Sequence, residues 1–193
     1  MPFVTRRRAM LATAATLTMG GAARPASAQA EGLGRLVESP PRPLPEGLSW
    51  TDGEGATATP ADHAGKVMVI NLWATWCAPC VAEMPALDRM AALLAAEGVV
   101  VLPLSSDRGG HAKVAPFYEQ RGIHTLGIWL DPRGHAARAF AVRGLPTTVI
   151  VDRQGRERAR LEGGAEWDQP PLLAAIRRLG GAAAPGHDAT TRT

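Results

Sequence analysis

Two cysteines are the residues of this sequence best able to do covalent chemistry, and Ala78 and Pro79 separate them. Cys77 and Cys80 follow the apolar run at residues 67–72, which predicts a buried strand, and they stand where a helical pattern begins. Unpaired N–H groups and the dipole at the start of a helix favour negative charge. We therefore expect the Cys77 thiol to ionise readily and to act as a nucleophile near neutral pH. Cys80 would be close enough to attack a mixed disulfide formed at Cys77.

Other uses of a cysteine pair can be compared with redox chemistry. A structural disulfide across two residues removes little entropy from the unfolded chain, so it would stabilise the fold weakly. A structural zinc site normally needs four ligands, and the chain has no second cysteine pair. A copper site that adds a distant histidine stays open, with His63, His111, His124 and His135 as candidates. We favour redox chemistry by the two cysteines alone, and we expect neither a bound metal nor an organic cofactor.

The pattern of apolar residues predicts the elements that position this pair. Residues 67–72 and 99–104 are nearly continuous apolar runs, typical of buried strands. The residues between them predict a helix at 77–97, because Met84, Leu87, Ala91 and Leu94 recur at helical spacing. Further along we predict helices at residues 110–121, 135–142 and 169–179, a short strand at 126–130, and hairpin strands at 147–151 and 157–161.

The order of these elements predicts an α/β fold. The strand–helix–strand unit at residues 67–104 implies two parallel strands joined by a crossover helix. The hairpin adds antiparallel strands through the turn at residues 152–155, which has Gly155 at its last position. We expect a central mixed β-sheet with helices on both faces.

The start of the chain has the three parts of an export signal. Three arginines occupy positions 6–8, an apolar run covers residues 9–23, and small residues fill positions 26–28. The apolar run has 15 residues, short of the about 20 that span a bilayer as a helix. The arginines resemble the twin-arginine export pattern, and an ordinary secretory signal stays open. We expect a periplasmic protein, cleaved after Ala28 or Ala30, that meets the membrane only transiently or through an uncleaved signal.

Composition divides the rest of the chain. Residues 29–47 are Pro-rich and predict an extended spacer. Residues 180–193 are rich in Gly, Ala and Thr and predict a flexible tail. The folded domain is therefore expected at residues 48–179.

The positive charge of the chain comes from its first 28 residues. The sequence has 21 basic and 18 acidic residues, a formal charge of +3 at pH 7. Four arginines and no acids lie in residues 1–28, so their removal leaves 17 basic against 18 acidic residues. A net charge of −1 removes the electrostatic argument for nucleic-acid binding. We expect no nucleic-acid partner.

The residues around the cysteine pair resemble a known family. The string Asn71-Leu72-Trp73-Ala74-Thr75-Trp76-Cys77-Ala78-Pro79-Cys80 resembles the active-site strand and helix start of thioredoxins. Gly144-Leu145-Pro146-Thr147-Thr148 resembles the loop that carries their cis-proline. Together with Val81-Ala82-Glu83-Met84-Pro85 and the turn at residues 152–155, the pattern is most similar to the TlpA/ResA branch of exported thioredoxin-like proteins. The resemblance covers residues 48–179 and implies a thioredoxin-like fold and thiol–disulfide oxidoreductase activity.

The resemblance implies a role for each matched residue. Cys77 matches the attacking cysteine and Cys80 the resolving one. Pro146 matches the cis-proline that faces the disulfide, which would leave the backbone groups of Leu145 free to pair with an extended client segment. Glu83, one turn beyond Cys80, matches a glutamate that tunes the protonation of the cysteines.

Asn71 departs from the classical thioredoxin sequence, which has a buried aspartate at this position. An amide accepts no proton, so Glu83 or a water molecule would have to act as the base toward Cys80. We expect Asn71 to satisfy backbone groups in the core.

The tryptophans divide into one candidate site residue and four packing residues. Trp76, beside Cys77, is expected to form an apolar rim where clients dock. Pro79 is expected to constrain the turn between the cysteines and to contact the client as well. Trp73 is expected in the core, and no role beyond packing is expected for Trp50, Trp129 and Trp167.

The resemblance also implies partners. They are disulfide-bearing client proteins, in cytochrome maturation or oxidase assembly, and a membrane protein that donates thiol electrons, since an oxidising compartment would otherwise keep the pair oxidised. A periplasmic copper-binding chaperone that uses the same cysteines is the alternative from another class. Peroxide reduction is disfavoured because the peroxiredoxin pattern has a threonine three residues before the nucleophile, where this chain has Ala74.

Overall fold

The structure is a computed structural model, and it describes residues 35–181. The export signal and both predicted cleavage positions lie outside these residues, as do residues 182–193 of the predicted tail. The helices are α1 (Ala78–Leu94), α2 (His111–Arg121), α3 (His135–Ala139) and α4 (Pro170–Gly180). The strands are β1 (Arg35–Pro43), β2 (Trp50–Asp52), β3 (Thr57–Ala58), β4 (Val67–Trp73), β5 (Val99–Ser105), β6 (Trp129–Leu130), β7 (Thr147–Val151) and β8 (Arg156–Glu162). Within residues 35–181, no helix has the length and apolar character needed to cross a membrane.

The eight strands within residues 35–181 join one mixed sheet, in the order β1-β8-β7-β4-β5-β6-β2-β3. Strands β4, β5 and β6 are parallel, with α1 and α2 as the successive crossovers between them. The other neighbours pair antiparallel, including the β7–β8 hairpin. The predicted strand–helix–strand unit, the hairpin and the mixed sheet are therefore confirmed.

The central strand β4 sends alternate side chains into two cores. Val69 and Trp73 pack into a cluster with residues of α1, α2 and α4. Ile70 and Leu72 pack into a second cluster with residues of α3. All seven residues of β4 are buried, as its continuous apolar sequence predicts, and the helices cover both faces of the sheet. Asn71 shares its side of the strand with Val69 and Trp73, so it points toward the α1 face.

The first turn of helix α1 follows the carboxyl end of β4 after a short loop. Leu87, Met90 and Leu94 anchor it, each with no exposed surface. The helix passes into a 3₁₀ turn at Ala95–Glu97 and ends at Gly98, whose φ of 70° is left-handed and suits glycine. The predicted helix at residues 77–97 is thus an α-helix followed by a tighter turn.

The Pro-rich segment is not the spacer that the sequence predicts. Arg35–Pro43 forms the edge strand β1, which pairs antiparallel with β8 and has an irregular register between Glu38 and Arg42. Prolines are tolerated there because the outer side of an edge strand needs no N–H donors. The folded unit therefore starts no later than residue 35, instead of residue 48.

Candidate active site

The cysteine pair lies at the first turn of α1. Cys77 is the N-cap residue, in an extended conformation, and Cys80 is the third residue of the helix. A disulfide joins them, with their Cα atoms 5.3 Å apart. The Cys77 carbonyl accepts a hydrogen bond from the Val81 N–H at 3.0 Å, the first bond of the helix. Cys80 is completely buried and Cys77 is 7% exposed, so Cys77 is the cysteine that a partner can reach.

A buried aspartate in the loop after β5 holds the loop that leads to Cys77. One carboxylate oxygen of Asp107 accepts from the Thr75 N–H at 2.8 Å, and the other accepts from the Thr75 hydroxyl at 2.6 Å. The Ser105 hydroxyl also donates to Asp107, at 2.8 Å. Asp107 is 4% exposed, so these bonds are shielded from water and fix the backbone two residues before the cysteine.

Glu83 lies on α1 one turn beyond Cys80, and its carboxylate is buried with three donors. Oε1 accepts from Asn71 Nδ2 at 2.8 Å, while Oε2 accepts from the Ala165 N–H at 3.0 Å and from Trp167 Nε1 at 2.9 Å. The side chain is 4% exposed. Burial raises the pKa of Glu83 from its ordinary value of 4.5 to about 7, although the three hydrogen bonds favour the charged form. A carboxyl group with this pKa can exchange a proton near neutral pH.

Asn71 contacts side chains instead of the backbone groups that we expected. Its Nδ2 donates to Glu83 and, at 2.9 Å, to the Thr148 hydroxyl on β7. Thr148 is the register partner of Asn71 across the β4–β7 pair. The prediction for Asn71 is therefore wrong in its partners, because the side chain points toward α1 and meets the carboxylate there.

The loop before β7 approaches the same region. The Leu145–Pro146 peptide is cis, and the Pro146 carbonyl accepts from the Gly163 N–H at 2.9 Å. Within residues 35–181, the N–H and C=O of Leu145 make no hydrogen bond to another residue.

Trp76 and Pro79 lie on the surface beside the pair, and Trp76 is 70% exposed. A side-chain carbon placed on Gly164 would lie 3.4 Å from the Pro79 carbonyl oxygen and 3.8 Å from Glu83 Oε2. The turn between the cysteines and the Glu83 carboxylate thus border the same backbone segment.

Four residues of the site are not among those predicted from the sequence: Asp107, Gly164, Ala165 and Trp167. Trp167 was expected only to pack, and it is fully buried, but its indole N–H also binds Glu83 across 84 positions of sequence. No local pattern marks such a contact. The N–H of a buried tryptophan usually has a hydrogen-bond partner, and this tendency is the one general signal that points to such a contact.

The histidines named as possible copper ligands do not gather at the pair. His63 is buried between Trp50 and Trp129, and burial lowers its pKa. Among residues 35–181, no group of three or more His, Cys, Asp or Glu side chains could hold a metal ion.

Comparisons of the sequence with known proteins identify a family and similar proteins. The model of the AhpC/TSA family matches residues 42–159. Thiol-disulfide oxidoreductase ResA of Geobacillus thermodenitrificans is 32% identical over 115 residues, which cover 58% of this chain and 64% of that protein. The alignment thus spans less than two thirds of that relative's own length.

Solved structures share the fold. The exposed lipoprotein thioredoxin Etrx1 of Streptococcus pneumoniae superposes with a TM-score of 0.57 at 27% identity, covering 67% of this chain and 96% of that one. A secreted thiol-disulfide isomerase from Corynebacterium glutamicum gives a TM-score of 0.61 at 21% identity, covering 73% of this chain and 90% of that one. These similarities confirm the thioredoxin-like architecture expected from the sequence.

Proposed function

The chain belongs to the AhpC/TSA family, and from this premise we propose that it is a thiol–disulfide oxidoreductase that reduces disulfides in client proteins. The observation that carries the proposal is the cysteine pair at the start of α1, with Cys77 reachable and Cys80 buried. The helix N-terminus would stabilise a thiolate at Cys77. Glu83, on the next turn, would take up the proton that the second cysteine has to lose.

The reaction passes two electrons from the reduced pair to the client. The Cys77 thiolate attacks one sulfur of the client disulfide, so that a mixed disulfide forms and the other client sulfur leaves and takes a proton from solvent. Cys80 gives its proton to the Glu83 carboxylate and attacks the Cys77 sulfur. The bond between Cys77 and the client breaks, the second client sulfur is protonated, and the chain is left with its Cys77–Cys80 disulfide.

Client contact would use the surface around Cys77. Trp76 and Pro79 offer an exposed apolar rim, and the backbone of Leu145 offers a free donor and acceptor to an extended segment. Pro146 would face the disulfide and shape this contact, as the resemblance to thioredoxins implies.

We further propose that the protein works outside the cytoplasm. The arginines at positions 6–8 and the apolar run after them support export, and two structural relatives are described as exposed and secreted. A membrane protein that donates thiol electrons would then have to re-reduce the pair. By resemblance to the TlpA/ResA branch, the clients would belong to cytochrome maturation or oxidase assembly.

The test is disulfide exchange with a protein substrate. The wild-type chain, reduced beforehand, is mixed with insulin, and new insulin thiols are counted after the excess reductant is removed. We expect one insulin disulfide to be reduced for each reduced pair. Cys77→Ser should abolish the reaction, whereas Cys80→Ser should accumulate a covalent insulin adduct that reductant releases.

The two serine variants serve as controls for each other, because each leaves one thiol. If both form the adduct equally, the assigned roles of the cysteines are wrong. If the reduced wild-type chain does not reduce insulin but binds Cu(I) tightly, the copper-chaperone alternative replaces the proposal.

A further inference from the structure

The backbone between β8 and α4 touches three parts of the site at once. In the segment Gly163–Trp167, Gly163 donates to the Pro146 carbonyl, and Gly164 borders the turn between the cysteines. Ala165 and Trp167 donate to Glu83. One short stretch of chain therefore joins the proline loop, the cysteine turn and the buried carboxylate.

Two of the three donors to Glu83 come from this segment, and both bind Oε2. Ala165 is 6% exposed and Trp167 is fully buried, so water does not compete for either bond. The remaining donor, Asn71 on β4, serves Oε1. Removal of the indole N–H would leave the backbone amide of Ala165 as the sole donor from the segment.

Among residues 35–181, no charged group is a cause of the shifted pKa of Glu83. Asn71 and Thr148 approach from β4 and β7, and both are neutral. On the segment side, the Glu166 side chain is exposed. Asp168 is paired with Arg89 of α1 at 2.7 Å, an ion pair that also ties the segment to the helix. The charged form of Glu83 is therefore stabilised by hydrogen bonds and not by a buried ion pair.

We propose that Trp167 is a positioning residue of the redox site, whose indole N–H holds the Glu83 carboxylate in place beside the first turn of α1. This inference rests on the proposed function, since it assigns a supporting residue to the proton acceptor of that reaction. A hydrogen bond to a charged group favours that form, so Trp167 also helps Glu83 to release its proton at the pH where the cysteines react.

The test replaces Trp167 by Phe, which keeps an aromatic ring and removes the N–H. Trp50→Phe is the matched control, because Trp50 is also buried but its Nε1 has no hydrogen-bond partner. The first readout is the titration of the Glu83 carboxyl carbon by NMR in the oxidised protein, which needs no client. We expect Trp167→Phe to raise the Glu83 midpoint by about one pH unit, while Trp50→Phe leaves it unchanged.

The second readout is the pH profile of insulin reduction. Its midpoint should move upward with Trp167→Phe, and the effect should vanish when Glu83→Gln is also present. An unmoved Glu83 titration in a folded Trp167→Phe protein overturns the inference, as does an equal movement with Trp50→Phe. If Trp167→Phe does not fold, replacement of Trp167 by benzothienylalanine removes the N–H and keeps the bicyclic shape. A shifted titration without insulin reduction would support Trp167 and refute the proposed function, so the two failures are distinguishable.

Discussion

Replacement of Glu83 by Gln should remove a pH dependence from the stability of the oxidised protein. Gln has the same size and keeps a carbonyl oxygen that can accept from Trp167 and Ala165, but it does not titrate. The cysteines of the disulfide do not titrate either. A comparison of Glu83→Gln with the wild type therefore isolates the ionisation of one buried carboxyl group.

The sign of the effect follows from the two pKa values of Glu83. It titrates near 4.5 in the unfolded chain and at about 7 in the folded protein. Between these values the folded state keeps a proton that the unfolded state has released, so the free energy of unfolding falls as pH rises. The stabilisation is complete below pH 4.5 and is lost as pH rises through about 7. The difference between the two pKa values corresponds to about 3 kcal/mol in the free energy of unfolding.

Urea unfolding followed by tryptophan fluorescence measures this quantity. Both proteins are unfolded in the oxidised state at several values from about pH 4.5 to about pH 8.5, and the free energies of unfolding are subtracted at each pH. The subtraction cancels every other titrating group. The wild type should lose about 3 kcal/mol relative to Glu83→Gln across this range. A difference that stays constant would refute the reasoning, because it would mean that Glu83 has the same pKa in the folded and unfolded states.

Two further predictions concern the loop before the cysteines and the surface beside them. Asp107→Ala should lower the free energy of unfolding by about 2–4 kcal/mol in urea, because the buried Ser105 hydroxyl and the two half-buried Thr75 donors lose their acceptor. Asp107→Asn should cost less, and an unchanged urea midpoint in the alanine variant would contradict the assigned anchoring. Trp76→Ala should change the free energy of unfolding by no more than about 0.5 kcal/mol. It should slow the reduction of insulin but not that of a small disulfide. Equal slowing with both substrates would show that Trp76 acts on the cysteines and not on the client.

The parts of the site that the sequence predicts are those built from local chain. The buried strand β4, the helix start at Cys77 and the one-turn spacing from Cys80 to Glu83 all depend on residues within about one strand and one helix, where periodicity is informative. The β7–β8 hairpin is local as well, and its strand bounds agree within a residue with those predicted. The strands β2 and β3 are not predicted. They have three and two residues and are too short to show an alternation of apolar and polar residues.

The parts that the sequence does not predict depend on pairing between distant residues. Strand β1 pairs with β8, which is more than one hundred positions away in the sequence. When only the local sequence is considered, the prolines of β1 favour an extended spacer. Trp167 likewise donates to Glu83 across 84 positions of sequence. In each case the segment is compatible with several local structures, and the tertiary partner decides between them.

The partnership of Asn71 with Glu83 explains why the chain departs from classical thioredoxin at position 71. The Asn71 amide lies 2.8 Å from Glu83, so an aspartate there would bring two buried carboxyl groups together, and they could not both ionise. An amide at position 71 instead donates to the carboxylate and favours its charged form. The chain thus keeps one titratable carboxyl group in this part of the core, on α1 instead of β4, and Trp167 and Ala165 supply donors to it from the segment after β8. The asparagine, the glutamate and the tryptophan are therefore parts of one arrangement, in which a change at any one of them alters the ionisation of Glu83.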